Sequence, residues 1–152
     1  MALKFISTLL LSCEAAFGGT ALESTPFSPE SILADGVDTT VSVNPYTGES
    51  GEVRKGTAAA MLNNVAKLNQ LFLQEKTPEN EQSIQALVEA IDQLIPALKI
   101  VGMFDLFEPM LWIGEGDQPG RLIAIQLYFK HYPEKMTPEI KQKLDSLKIS
   151  PR

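Results

Sequence analysis

Three times in this chain a hydroxyl residue is followed by proline and glutamate: Ser28-Pro29-Glu30, Thr77-Pro78-Glu79 and Thr137-Pro138-Glu139. Each triplet has the chemistry of a helix start. The hydroxyl accepts from a free amide of the first turn, the proline presets φ where no intrahelical donor is needed, and the glutamate meets the positive end of the helix dipole. Three such starts in 152 residues point to a chain built mainly from helices. They carry no chemistry of their own.

A sustained apolar stripe lies between the first two starts, at Gly56–Gln74 (GTAAAMLNNVAKLNQLFLQ). Ala58, Met61, Leu62, Val65, Leu68 and Phe72 recur at three- and four-residue steps, which sets them on one side of a helix. Asn63, Asn64, Lys67 and Gln70 fall opposite and are expected to stay wet. Thr57 is the expected N-cap. The Ala58–Ala60 triplet favours helix and lets a neighbouring backbone approach. This stretch is therefore the expected core helix, with other elements laid on Met61, Leu62 and Val65.

A second stripe, Ile84, Leu87, Val88, Ile91, Leu94, Ile95 and Leu98, predicts a helix over 79–95 that Pro96 stops or kinks. Phe104–Ile113 is dense in large apolar groups, and Pro109 kinks one short helix there or starts another. Arg121–Tyr132 fits an alternating strand as well as a helix. Pro119 and a capping Asp117 favour the helix. Ile140, Leu144 and Leu147 mark a last helix, and residues 150–152 are expected to fray. Residues 1–19 read first as a helix with Phe5, Ile6, Leu9, Leu10, Cys13, Ala16 and Phe17 on one stripe. Their other reading is a signal peptide cleaved near residue 18, and Leu10–Cys13 loosely resembles a lipoprotein cleavage box.

Val37–Val43 alternates Val37, Thr39, Val41 and Val43 on one side, Asn44–Gly51 is rich in turn residues, and Glu52–Lys55 returns. Such a two-stranded hairpin is weak alone and must lean on helices. The expected fold is thus mainly α: a compact single domain over 1–152, a bundle of five to six helices with a small β-hairpin near residues 37–55.

Composition narrows the function classes. A net charge of −6 argues against a nucleic-acid partner, which calls for a basic face. Its distribution is uneven: Thr77–Gly120 holds eight acids and one base, and Arg121–Arg152 holds seven bases and three acids. Two faces of opposite sign are expected, either solvated or paired within the fold or between subunits. No run is long enough to span a bilayer. Cys13 and His131 are the only cysteine and histidine, so an internal disulfide is excluded and a zinc site lacks ligands; no cofactor is expected. The GxSxG, HExxH, GxGxxG and GxxxxGK[ST] patterns are absent.

Two candidate sites remain. Phe104, Phe107 and Trp112 are interface candidates, since large aromatics dominate interface energetics, although Trp112 reads first as a core residue. Arg54, Lys55, Gly56 and Thr57 form a basic helix start able to cradle an anion. Glu115 and Asp117, near Asp105 and Glu108, are a weaker carboxylate pair. The expected role is non-catalytic, through protein–protein interaction or self-association, in a cytoplasmic protein (exported if residues 1–18 are removed). The alternative is a small anionic-ligand binder or modest enzyme at Arg54–Thr57.

Overall fold

A computed structural model describes residues 25–32 and 39–147. The readings of residues 1–19 as helix or leader, of Val37 as the first strand residue and of 150–152 as a frayed tail lie outside the described residues. In chain order the elements are α1 (Pro29–Ile32), β1 (Thr39–Val43), β2 (Ser50–Arg54), α2 (Thr57–Leu71), α3 (Pro78–Ile100), α4 (Met103–Leu106), α5 (Pro109–Ile113), α6 (Pro119–His131) and α7 (Pro138–Ser146). A 3-10 turn, Pro133–Lys135, separates the last two helices. The architecture is mainly α with one two-stranded antiparallel sheet, as the sequence predicts. Seven α-helices stand among the described residues, because Phe104–Ile113 forms two short helices and Pro109 starts the second.

The three hydroxyl-proline-glutamate triplets act as helix starts. Thr77 accepts from the Asn80 amide at 3.2 Å, Thr137 from Ile140 at 3.3 Å and Ser28 from Ser31 at 3.2 Å, each with proline in the first turn. Glu139 accepts from its own backbone amide and bonds Thr137, which holds its carboxyl below the usual carboxylate range. Thr77→Ala removes the cap of the longest helix and is expected to cost about 1 kcal/mol, lowering Tm by roughly 2–4 °C in a calorimetric scan. Thr77→Ser, which keeps the acceptor, is expected to stay near the parent.

The enclosed helix is α6, which corrects the expectation that Gly56–Gln74 holds that place. Leu122, Ile123, Ala124, Ile125, Leu127, Tyr128 and Phe129 are all buried, so α6 is apolar almost all round, the pattern of a helix packed on several sides. Helices α2 and α3 pack against each other and both pack on α6. Their buried stripes are Ala60, Met61, Val65, Leu68 and Leu71 on α2, and Ile84, Leu87, Ile91, Leu94, Ile95 and Leu98 on α3.

Four further expectations are corrected. Leu62 is exposed and Asn64 is buried, the reverse of the helical-wheel assignment. Asn64 is drawn inward by backbone chemistry: its Oδ1 accepts from the Phe27 amide at 2.7 Å and its Nδ2 donates to the Phe27 carbonyl at 2.9 Å. Of the two outcomes expected at Pro96, a stop or a kink, the stop is overturned: α3 runs on to Ile100. The ring sits on the exposed side, and burial of Ile95 and Leu98 outweighs one lost backbone bond. Thr57 is not the cap of α2. Gly56 is, in the left-handed region at φ 88°, and the Thr57 hydroxyl donates to the Arg54 carbonyl at 2.7 Å. Asp117 does not cap α6 either; that position is Gln118, with no side-chain cap bond.

The hairpin pairs Thr39 with Arg54 through Val43 with Ser50. It leans on α3, as a two-stranded sheet must. Val53 is the buried side chain, and Gly51 lies so close to α3 that a Cβ there would sit 2.4 Å from Ile100 Cδ1. Val41 and Val43 face the other way, into solvent.

Candidate functional site

The segment from Gly102 to Gly114 turns a corner between α3 and α6 and has two unlike sides. Gly102 sits at φ 79° and lets the chain leave α3. A Cβ there would lie 3.1 Å from Cδ2 of Tyr46 and 3.2 Å from Cδ of Pro45, so the hairpin loop presses on the entrance to α4. On the inner side, the Phe104 ring stacks on Tyr128 at 4.2 Å and lies 5.4 Å from Trp112. The Trp112 indole donates to the Phe107 carbonyl at 2.9 Å, which satisfies its one donor and pins the α4–α5 bend. Arg121 donates to the Leu111 carbonyl and ties α5 to α6.

The outer side is apolar and open. Leu106, Phe107, Met110 and Leu111 are 57%, 47%, 43% and 58% exposed. Leu106 ends α4, Met110 and Leu111 lie in α5 and Phe107 stands between the two helices, so the four exposed side chains fall within six residues of chain; the exposed Tyr46 ring lies against Gly102 at the entrance to α4. The predicted interface residues therefore divide. Phe104 and Trp112 are buried in the protein's own core, and Phe107 alone of the three faces solvent. Leu106, Met110 and Leu111 were not singled out by sequence. The density of the segment was visible, but which half faces inward depends on where α6 lies.

The carboxylates of this stretch fringe the face. Glu108 and Asp117 are exposed and have no ion-pair partner among the described residues. Glu115 stands 3.9 Å from Lys143, and Asp105 is bonded by Asn44.

Arg54, Lys55, Gly56 and Thr57 lie elsewhere, at the junction of β2 and α2. Arg54 pairs with Glu30 of α1, and a Cβ on Gly56 would lie 3.1 Å from the Pro29 carbonyl. The guanidinium already faces a carboxylate, and the Thr57 hydroxyl is committed to the Arg54 carbonyl. This start is thus a packed corner.

A polar junction that sequence reasoning passed over joins the hairpin loop to the ends of α3 and α4. Asn44 is buried; its Nδ2 donates to the Lys99 carbonyl and to Asp105 Oδ2, both at 2.8 Å, and its Oδ1 accepts from the amides of Tyr46 and Thr47. Lys99 pairs with Glu49 and lies 4.8 Å over the Tyr132 ring. The Glu49 carboxylate holds the Lys99 ammonium above the usual lysine range, against the opposing cost of burial. Burial, then the charges of Asp105 and Glu134, pushes the Tyr128 phenol up to about 12. Tyr128 is therefore a neutral phenol at physiological pH, unfit to act as a phenolate base.

His131 bonds Asp92 through Nε2 at 2.8 Å, and Lys130 bonds the other oxygen at 2.8 Å. A catalytic dyad would need a nucleophile on the second ring nitrogen. No described residue is placed there within hydrogen-bond distance. Burial works to raise the Asp92 carboxyl, but the bonds and charges of Lys130 and His131 more than offset it and hold it below the usual range. The sign follows: a depressed native pKa adds stability that is present above the unfolded value and lost as pH falls through the native one. Asp92→Asn is expected to lose about 0.2–1 kcal/mol near neutrality in chemical denaturation, with the gap to the parent closing in acid. A gap that persists once pH has fallen through the carboxylate range would contradict this pairing.

Among the described residues, no group of three or more His, Cys, Asp or Glu side chains could hold a metal ion. None of their helices is long and apolar enough to cross a membrane. What the fold and site define is a mainly α domain with a hairpin braced on its longest helix and a run of exposed apolar side chains on α4–α5. The chain belongs to the family described as a domain of unknown function (DUF7709), whose profile matches residues 32–145. No curated protein and no solved structure matches it.

Proposed function

We propose that this protein is a non-catalytic interaction domain that docks other protein surfaces through the outer side of α4 and α5. The observation that carries the reading is the run of Leu106, Phe107, Met110 and Leu111, each more than two-fifths exposed. An apolar patch held rigid from behind by the buried Phe104–Trp112–Tyr128 cluster is pre-organised for contact, and patches of this kind mark interaction sites. Met110 adds a side chain that adapts its shape to what covers it. The anion-binding alternative at Arg54–Thr57 is less favoured, because Arg54 already pairs with Glu30 and the Thr57 hydroxyl donates to the Arg54 carbonyl.

Without another partner, such a face brings copies of the protein together weakly. Light scattering at high micromolar concentration in elevated salt is expected to show mass above that of the monomer. Phe107→Ser is expected to return it to monomer with Tm almost unchanged, since the side chain is already half in water. A parent that stays strictly monomeric and also binds no partner through Phe107 would remove the reading.

A further inference from the structure

We infer that the preferred occupant of the α4–α5 face is a basic amphipathic helix of another protein rather than a second copy of this chain. The inference rests on the docking reading above and adds the partner's chemistry. Charge is the first argument. From Asp105 to Asp117 the chain carries four carboxylates and no base, and they bracket the four exposed apolar side chains. The bases that reach this region are otherwise engaged: Arg121 donates to the Leu111 carbonyl, and Lys143 leans toward Glu115. Glu108 and Asp117 are left without ion-pair partners among the described residues. Two copies meeting face to face would set these carboxylates against their equivalents, which opposes association. A partner with lysines or arginines flanking its apolar stripe meets the carboxylates of Glu108 and Asp117, which are exposed, while Asp105 is taken by Asn44 and Glu115 stands near Lys143.

Backbone chemistry argues for a helix. An extended peptide gains affinity by pairing with an open strand edge, and this face has no strand: α4 and α5 bond their own backbone, the Phe107 carbonyl between them accepts from the Trp112 indole, and Pro109 has no amide to give. A helix brings its own backbone already satisfied. It presents its apolar anchors at i, i+3, i+4 and i+7 along one side.

The test uses the full chain and two synthetic peptides, each a helix about five turns long with leucine on one face. One carries lysine on the other face and one carries glutamate. NMR titration is expected to show the lysine–leucine peptide shifting Leu106, Phe107, Met110 and Leu111, with the glutamate–leucine peptide silent. Phe107→Ser is expected to weaken binding about tenfold or more, and Glu108→Lys with Asp117→Lys by several-fold. Added salt is expected to weaken peptide binding and to strengthen contact between copies, because it screens attraction in one case and repulsion in the other. Equal binding of both peptides, or lysine–leucine binding indifferent to Phe107→Ser, overturns the inference. If the copies associate through Phe107 while the peptide does not bind, the inference falls and the docking reading stands; if neither occurs, both fall. Phe107-dependent binding to neutral phosphatidylcholine vesicles, with no peptide bound, would also overturn it.

Discussion

Gly120→Val is expected to lower stability by about 3 kcal/mol or more and Tm by roughly 6–12 °C, with little change in the helical circular dichroism of what remains folded. Gly120 is the second residue of α6 and marks its closest approach to α2. A Cβ placed there would lie 2.5 Å from the Val65 carbonyl oxygen and 3.0 Å from Asn69 Oδ1. The first neighbour is backbone in the middle of α2, so no side chain can swing aside to make room. The Gly120 amide also donates to Asn69 Oδ1 at 2.8 Å, and forcing the helices apart stretches that bond. The space between them is filled by Met61, Val65 and Leu68 on one side and Leu122, Ile123 and Ile125 on the other, all buried. Separation there trades dispersion contacts for void.

Gly120→Ala sets two effects of opposite sign against each other. Alanine gains up to about 1 kcal/mol of helix propensity over glycine. Overpacking costs about 1–3 kcal/mol, so a net loss smaller than that of valine is expected. An alanine variant clearly more stable than the parent in urea denaturation would mean that α2 and α6 stand farther apart than a 2.5 Å approach to the Val65 carbonyl allows.

What was legible in the sequence was chemistry that acts within one turn. Ser28, Thr77 and Thr137 cap because hydroxyl, proline and glutamate sit next to one another in the chain, whatever the rest of the molecule does. The stripe Ile84–Leu98 survives for a related reason: seven apolar positions at helical spacing dictate a buried face, and one proline on the wet side does not overrule them. Assignments that need a partner from elsewhere failed. On a helical wheel Leu62 belongs with Met61 and Val65, and Asn64 belongs in water. The backbone of Phe27, far off in sequence, supplies both a donor and an acceptor for Asn64, and the helix rolls so that Leu62 is outside. The candidate site shows the same limit. That Phe104–Trp112 is too apolar for an ordinary surface loop could be read directly, whereas the division into buried Phe104 and Trp112 and exposed Phe107 follows only from the position of Tyr128 on α6.

Asn44 is the sharpest case of a role hidden from local reading, and it carries the second large prediction. In the sequence it is one more turn residue beside proline. In the fold it is buried, and both ends of its amide are fully used: two donors to the Lys99 carbonyl and Asp105, and one oxygen accepting from Tyr46 and Thr47. Asn44→Ala leaves a buried carbonyl, a carboxylate and two loop amides without these partners, and is expected to cost about 2–4 kcal/mol. The loss should be local before it is global. Hydrogen exchange of the Tyr46 and Thr47 amides is expected to accelerate more than that of Leu87 or Ile123, because the loop detaches from α3 and α4 while the core persists. Asn44→Asp separates the terms. It keeps the shape and the two accepted bonds, loses both donors, and sets a carboxylate against Asp105, so it is expected to be at least as damaging as alanine. Adding Asp105→Asn to Asn44→Asp relieves the repulsion and restores a donor to the pair, and the double variant is expected to recover part of the loss. Additive effects, with no recovery, would show that Asn44 and Asp105 do not share a hydrogen bond.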